Sequence, residues 1–269
     1  MEFVDIHSHV LHGLDDGAKT LEDSIAMLRL AEAAGTTDIV ATPHASGQYT
    51  FRPDVIEQRI RELQPLVDVR IHRGCDFHLQ ADNIEDALAY PTKYTINQRG
   101  YLLVEFPDLS IFSSADEIIL ELLGGGLIPI ITHPERNAQL QHKLDDIARW
   151  IELGCYVQVT AGSCTGTFGK AAGACAATLI ERGLVHFIAS DAHDTRRRSP
   201  RLREAYDFLS KKWGDERIRP LFADNPRAVL TGDADRGDQS GAPEFPAGLP
   251  KSASSTVNDQ SRFADSTVM

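Results

Sequence analysis

The chain has no long hydrophobic run and only a few cysteines. No segment approaches the roughly 18 consecutive apolar residues that a membrane helix needs, and the first residues lack the basic and apolar stretches of a signal peptide. The four cysteines form no Cys-x-x-Cys pair, which predicts free thiols in a reducing compartment. These absences predict a cytoplasmic protein without a membrane span.

Positive charge is also scarce. The 27 lysines and arginines are outnumbered by 39 aspartates and glutamates, so the formal net charge is −12. This excludes nucleic acid as a main partner, because binding a phosphate backbone requires a basic face. One basic cluster, Arg196-Arg197-Arg198, stands out against the acidic background.

What the chain does contain is a regular alternation of two patterns. Short runs rich in Ile and Val, typical of buried parallel strands, alternate with segments of helical periodicity. Thr20-Leu21-Glu22-Asp23 resembles a capping box and predicts the start of the first helix. The predicted helices span residues 20–34, 53–63, 114–123, 144–153, 171–182 and 201–211, and a last helical turn spans 225–230. With 269 residues and about seven βα units, the sequence predicts a TIM-like (β/α)7 barrel of the α/β class. An open doubly wound sheet is the alternative.

The composition changes near residue 232. Beyond it, Gly, Pro, Ser, Asp and Ala dominate, and large apolar residues are rare. Such a segment cannot bury enough apolar surface to offset the entropic cost of ordering. The sequence therefore predicts a barrel domain over residues 1–232 and a disordered C-terminal tail over 233–269.

Side chains that can bind a metal follow most of the apolar runs. His7 and His9 lie two residues apart at the end of the first run, so both imidazoles point the same way in a strand and can reach one ion. Such a pair alone is a weak signal with a structural alternative. Comparable residues follow the other runs, at His44, Asp76, Glu105, His133, Asp191 and His193. Because parallel strands end at one face of a barrel, the set predicts a metal centre there.

The order and context of these residues resemble a known family. The motifs that carry the resemblance are Asp5-Ile6-His7-Ser8-His9, Leu14-Asp15-Asp16-Gly17, Thr42-Pro43-His44, Glu105-Phe106-Pro107, His133-Pro134-Glu135-Arg136 and Ser190-Asp191-Ala192-His193. Over residues 3–230 the sequence resembles the polymerase-and-histidinol-phosphatase (PHP) superfamily. Within it, the sequence is most similar to the manganese-dependent protein tyrosine phosphatases encoded with bacterial capsule and exopolysaccharide genes.

The resemblance implies a distorted seven-stranded barrel of the PHP type that holds three divalent metal ions. Manganese is the implied metal, and Fe²⁺ or Zn²⁺ would also suit the ligand set. The implied ligands, in the order of the three ions, are His7, His9 and Asp191; Glu105 and His133; and Asp16, His44 and His193, with Asp76 bridging the first two ions. Asp15 is a rival of Asp16 for its position.

The resemblance also implies a reaction and a substrate. Hydroxide formed from metal-bound water would attack a phosphate monoester, and Arg136 and Arg198 would hold the phosphate through planar guanidinium groups. A rim salt bridge for Arg136 and a solvated charge run for Arg198 are the structural alternatives. The implied partner is a phosphotyrosine-bearing protein, a bacterial tyrosine kinase that controls polysaccharide export. No cysteine has an arginine six residues later, which excludes a cysteine-nucleophile phosphatase.

One position departs from the family pattern. The bridging residue is usually glutamate in a Gly-x-Glu context, whereas this chain has Gly74-Cys75-Asp76. Aspartate is one methylene shorter than glutamate, so we expect either that the strand lies closer to the ions or that one ion binds more weakly. Cys75 and His78 also replace residues that are usually Gln and Arg; we expect Cys75 to approach the metals, and His78 has no recognisable set of partners.

Three other functions stay open at this point. The first is a small-molecule phosphatase that acts on histidinol phosphate or a sugar phosphate. The second is a metal-dependent amidohydrolase, since those barrels also begin with His-x-His, and the third is a non-catalytic binding module. A P-loop at residues 162–170 is rejected because the first glycine and the Ser or Thr after the lysine are both missing. That loop could still shape a substrate pocket.

Overall fold

The computed structural model describes residues 1–107 and 111–232, and this part of the chain contains nine strands and ten α-helices. The strands are β1 (Phe3–Ser8), β2 (Thr36–Ala41), β3 (His44–Ala45), β4 (Arg70–Arg73), β5 (Asp76–His78), β6 (Tyr101–Glu105), β7 (Ile128–Thr132), β8 (Tyr156–Thr160) and β9 (Phe187–Ala189). The helices are α1 (Leu21–Ala33), α2 (Pro53–Leu63), α3 (Ala81–Ala89), α4 (Ala115–Gly124), α5 (Leu144–Leu153), α6 (Ala161–Cys164), α7 (Gly169–Glu181), α8 (Leu202–Trp213), α9 (Asp215–Phe222) and α10 (Asp224–Thr231). The predicted tail, residues 233–269, lies outside the described residues.

The strand order follows the order of the chain, and every pairing between these strands is parallel. One sheet has the order β1-β2-β4, and the other has the order β3-β5-β6-β7-β8-β9. A single parallel bridge between Ser8 and Ala192 joins the end of β1 to the segment after β9. A doubly wound sheet reverses its strand order at a switch point, so that alternative is wrong. The predicted distorted, barrel-like α/β fold is confirmed.

Two apolar runs that each predict a single strand, residues 39–44 and 69–76, are broken in the structure. The first breaks at Pro43, which has no N–H for a ladder hydrogen bond. The second breaks at Gly74, whose N–H donates to the Ala41 carbonyl at 2.9 Å. A Cβ atom at Gly74 would lie 2.7 Å from Val40 Cγ1, so only glycine allows this close approach of β4 to β2. As a result of the two breaks, the downstream segments β3 and β5 leave the first sheet and belong to the second.

Most helices match the sequence prediction. Helices α2 and α5 have the predicted bounds, and α1 begins at the predicted capping box. In that box Thr20 Oγ1 accepts from the Asp23 N–H at 3.2 Å, and Asp23 Oδ2 accepts from the Thr20 N–H at 3.1 Å. The prediction missed α3, α6 and α9; α9 contains Pro220, a residue that normally ends a helix. Among the described helices, none is long and apolar enough to span a membrane.

Apolar side chains pack on both faces of the strands. On the outer face, Trp150 of α5 stacks on Phe106 with ring centroids 5.0 Å apart. On the inner face, Leu103 and Phe187 belong to a separate buried cluster that fills the interior of the fold. Because side chains alternate along a strand, Glu105 lies on the same face of β6 as Leu103 and points to the interior side. The fold thereby places a carboxylate beyond the inner core.

Candidate metal centre

The nine predicted metal ligands come together at or just after the C-terminal ends of the strands. Each of them has a ligand atom within 3.6 Å of a ligand atom of another. Asp16 is the exposed member of the set, whereas six of the others are buried and two are half-buried. Burying so many ionisable groups is unfavourable unless they form ion pairs or bind metal ions.

Three overlapping groups of side chains place their ligand atoms close enough to share an ion. The groups are His7, His9 and Asp76; His44, Asp76, His78 and Glu105; and His9, Asp16, His44 and His193. Asp76 belongs to two of these groups, as do His9 and His44. Shared members are the arrangement expected of a site for several ions.

The two N-terminal histidines face one carboxylate. His7 Nε2 and His9 Nε2 lie 3.3 Å apart, and Asp191 Oδ1 lies 3.5 Å and 3.4 Å from them. Burial alone would raise the pKa of Asp191, but His7, His9, Arg136 and Arg198 together hold that pKa well below its usual range. Asp191 adopts a backbone φ of 50°, a left-handed conformation that is uncommon outside glycine. The carboxylate is thus ionised and held by the surrounding cations.

Asp76 is fully buried, and neither of its carboxylate oxygens has a hydrogen-bond partner among the described residues. Its Oδ2 atom lies 3.1 Å from His44 Nδ1 and 3.4 Å from His7 Nε2. Burial raises the pKa of Asp76, but the two histidines outweigh it and keep the pKa well below its usual value. A buried carboxylate without hydrogen bonds is costly unless a cation compensates it. The surroundings of Asp76 therefore fit a bound metal.

The structure adds one ligand candidate that the sequence analysis set aside. His78 Nε2 lies 2.5 Å from Glu105 Oε2 and 2.9 Å from His44 Nδ1. The prediction that His78 has no set of partners is therefore wrong. The signal was present in the sequence, because Asp76 and His78 are two residues apart and share one face of β5, as the two N-terminal histidines do.

Cys75 is the neighbour of Asp76 in the sequence, but its side chain does not reach the candidate metal ligands. Its side chain is fully buried in the outer apolar core, and burial raises the pKa of its thiol well above the usual value. Successive residues of an extended segment point to opposite faces, so the neighbour of Asp76 turns away from the metal centre. The expectation that Cys75 approaches the metals is wrong.

Asp16, rather than Asp15, reaches a group of candidate ligands. Asp16 Oδ1 lies 3.3 Å from His193 Nε2 and 3.4 Å from His44 Nε2. Asp15 Oδ2 instead lies 2.7 Å from Nδ1 of His9, the ring nitrogen opposite the one that faces the other ligands. A carboxylate in that position fixes the tautomer and orientation of a metal-binding imidazole.

Gln158 supports the other N-terminal histidine in the same way. Its Oε1 atom lies 2.9 Å from His7 Nδ1, and its side chain is fully buried. This role of Gln158 was not predicted from the sequence, although a lone glutamine inside an apolar strand indicates a buried polar contact. Since neighbouring side chains alternate along β8, a polar residue on the inner face must find a buried partner.

Arg136 and Arg198 converge on one carboxylate and one aromatic ring. Arg136 Nη1 donates to Asp191 Oδ2, and Arg198 Nη2 donates to the same oxygen at 2.6 Å. Their guanidinium carbons lie 4.3 Å and 5.8 Å from the ring centroid of Phe168. Only 23% and 22% of these side chains is exposed, so neither arginine is a solvated surface charge. The buried Nε of Arg198 has no acceptor among the described residues.

Phe168 is a second site residue that the sequence analysis missed. It lies in the loop between α6 and α7, the segment that resembles a P-loop only superficially. Glu135 ties the start of this segment to the arginine-bearing turn, since its Oε1 accepts from Ser163 Oγ at 2.7 Å and from the Thr160 N–H at 3.0 Å. No local pattern in the sequence indicates that this ring would lie against two arginines from distant segments.

The fold and the site together define an α/β, barrel-like protein with a cluster of histidines and carboxylates suited to several metal ions and two arginines beside it. The chain belongs to the CpsB/CapC family of capsular polysaccharide synthesis, whose model matches residues 3–231. This confirms the resemblance to the capsule-associated tyrosine phosphatases that the sequence motifs indicated.

Two named relatives and one solved structure support this assignment. The chain is 35% identical to the tyrosine-protein phosphatase YwqE of Bacillus subtilis, over 84% of this chain and 91% of that protein. It is 33% identical to the putative tyrosine-protein phosphatase CapC of Staphylococcus aureus, over 85% and 91% of the two chains. A crystal structure from work on YwqE and on CpsB of Streptococcus pneumoniae, described as unique metal-dependent tyrosine phosphatases, matches with a TM-score of 0.80 and 31% identity. That match covers 91% of this chain and 100% of the other.

Proposed function

We propose that this chain is a metal-dependent phosphomonoesterase that hydrolyses phosphotyrosine on a protein. The observation that carries the proposal is the position of two guanidinium groups beside a buried cluster of histidines and ionised carboxylates. Metal ligands alone would suit many hydrolases, but paired arginines match the charge and geometry of a phosphoryl group. Glu105 ends the strand at which many amidohydrolases use a modified lysine, which argues against that class.

Three divalent ions, with Mn²⁺ as the proposed metal, would be held by the nine predicted ligands, and His78 is a tenth candidate. The mixed imidazole and carboxylate set also suits Fe²⁺ or Zn²⁺. Such ions supply Lewis acidity and lower the pKa of water, so that a nucleophile forms at neutral pH. The fully buried oxygens of Asp76, neither of which has a hydrogen-bond partner among the described residues, support this assignment.

The two arginines would bind the phosphoryl oxygens. Each donates through one terminal nitrogen to Asp191 Oδ2, which leaves its other N–H groups for substrate. Arg198 Nε is a buried donor that has no acceptor within residues 1–107 and 111–232, and a phosphate oxygen would satisfy it. Asp191 positions both guanidinium groups, and the Phe168 ring lies against them.

The proposed substrate is a phosphorylated tyrosine on a bacterial tyrosine kinase that controls capsule or exopolysaccharide synthesis. The names of the relatives support this choice. The proposed location is the cytoplasm, a reducing compartment that suits the four free cysteines. The net charge of −12 opposes an acidic phosphopeptide at long range, so the arginines and metal ions must provide the local attraction.

A substrate comparison tests the proposal. The purified chain is assayed with and without Mn²⁺ on a phosphotyrosine peptide, a phosphoserine peptide and histidinol phosphate. We expect turnover that depends on Mn²⁺, is abolished by a chelator and is confined to phosphotyrosine. Turnover of histidinol phosphate with none of phosphotyrosine would overturn the substrate and favour a small-molecule phosphatase. A chain that binds no metal and hydrolyses nothing would instead be a binding module.

A paired substitution separates the roles of the two adjacent aspartates. We expect Asp15→Asn to raise the Kd for metal by about 10- to 100-fold, because His9 loses the group that orients it. Asp16→Asn should lower the number of ions bound per chain, since this residue is proposed as a direct ligand. Isothermal titration with Mn²⁺ measures both quantities. A reduced ion count for Asp15→Asn, with unchanged binding for Asp16→Asn, would reverse the assignment.

A further inference from the structure

A basic pocket lies beside the metal centre and shares Arg198 and Phe168 with it. Its volume is about 190 Å³, which is room for an anionic group and a few waters of ~30 Å³ each. One wall is formed by residues 161–168 and the other by the segment from residue 196 to residue 205. The charged side chains that line it are Arg196, Arg197, Arg198, Arg201 and Glu204.

The pocket has an excess of positive charge. Within residues 1–107 and 111–232, no carboxylate oxygen lies within 4.0 Å of the guanidinium nitrogens of Arg196, Arg197 or Arg201. The nearest acidic side chain in sequence, Asp194, is occupied by the backbone N–H groups of Arg196 and Arg197 at 2.6 Å and 2.7 Å. Three arginines without ion-pair partners line one small pocket in a chain of net charge −12. Such a local positive field attracts an anion.

The pocket shares walls with the metal centre. Arg198 lines the pocket and also donates to Asp191. Phe168 lines it and also lies against Arg136. Ser190, the residue before Asp191, lines it as well. A group bound in the pocket would therefore lie next to the phosphoryl group on the arginines, as a neighbouring residue of the same peptide does.

We propose that this pocket is an anion subsite that binds an acidic group flanking the phosphotyrosine of the substrate. The proposal rests on the proposed function and adds a preference in sequence to it. The bound group would be a carboxylate or a phosphate. Guanidinium groups bind either of these anions in a planar, bidentate geometry. The subsite would make the enzyme select acidic or multiply phosphorylated segments despite its own negative charge.

Three phosphotyrosine peptides test the preference with the full-length, Mn²⁺-loaded protein. One has neutral flanking residues, one has flanking Asp and Glu, and one has a second phosphotyrosine nearby. For the unchanged protein we expect KM to be about tenfold lower for the two acidic peptides, which equals ~1.4 kcal/mol of binding, with similar kcat. A preference for the doubly phosphorylated peptide alone would identify phosphate as the preferred group and would also support the subsite.

Two single substitutions place the preference in the pocket. Arg197→Gln and Arg201→Gln should each raise KM for the acidic peptides several-fold, with little change for the neutral peptide. Both arginines are exposed and without ion-pair partners, so neither change threatens the fold. Arg29→Gln removes the same charge from the exposed face of α1, which does not line the pocket, and should leave the preference intact.

Two results would overturn the inference. The first is an equal KM of the unchanged protein for all three peptides. The second is an equal rise in KM for neutral and acidic peptides in Arg197→Gln and Arg201→Gln. In either case turnover of p-nitrophenyl phosphate, an ester too small to reach the pocket, would continue and leave the proposed function standing. If the unchanged protein hydrolysed none of these phosphate esters, the proposed function itself would be refuted.

Discussion

Replacing Arg136 with alanine should lower kcat/KM for a phosphotyrosine peptide by roughly 10²–10³-fold, the usual loss for one charge-stabilising donor. The proposed metal ions should remain bound, because Arg136 is not a ligand and its loss removes a cation that competes for Asp191. Arg198 still donates to the same carboxylate, which limits any rearrangement. Steady-state kinetics together with metal analysis of the purified variant measure the two effects.

Two matched variants sharpen this test. Arg136→Lys keeps the charge and loses the planar fork, so it should recover only part of the activity. Arg149→Ala removes an exposed arginine of α5 that pairs with Asp116 and Asp146, and it should keep the activity of the unchanged protein. Full activity of Arg136→Ala with normal metal content would show that this arginine is only a structural salt bridge.

Replacing Asp76 with asparagine should lower the metal content by at least one ion per chain and reduce turnover by more than about 10³-fold. Asp76 belongs to two of the three groups of candidate ligands, and its buried oxygens have no hydrogen-bond partner among the described residues. The amide has nearly the same size but no charge, so packing is kept while the compensation of two cations is lost. Metal analysis and the rise of Tm on adding Mn²⁺ report the loss, since a ligand stabilises only the form that binds it.

Asp76→Glu tests whether the short side chain is an adaptation of this barrel. The position is fully buried between His7 and His44, so an extra methylene should strain the cluster and lower activity. A gain in activity or metal affinity would mean that aspartate leaves a weakened site here. Unchanged metal content in Asp76→Asn would contradict the bridging role altogether.

Local patterns were sufficient for much of the fold. The apolar runs indicated the strand positions, and the Thr20 capping box and the bounds of α2 and α5 were predicted from helical periodicity and capping alone. Helix α9 was not predicted because it contains Pro220, a residue that locally disfavours a helix. In the structure, tertiary packing of α9 outweighs that preference. The break at Gly74 was also missed, because the close approach of β4 to β2 is a contact between distant segments. The break at Pro43 was missed although its signal is local, since proline has no N–H for a ladder hydrogen bond. The disordered tail over residues 233–269 stays a prediction.

The sequence by itself determined which chemistry is available in this protein. Strand periodicity placed the histidines and carboxylates at one end of parallel strands, and the structure brings them together there. The sequence could not determine which side chains meet at that end. The pairing of His78 with Glu105, the support of His7 by Gln158, and the convergence of Arg136 and Arg198 on Asp191 join segments that are distant in the chain. Only the packing of the strands around a common interior sets those distances, because periodicity specifies the face on which a side chain lies and not the neighbour it meets.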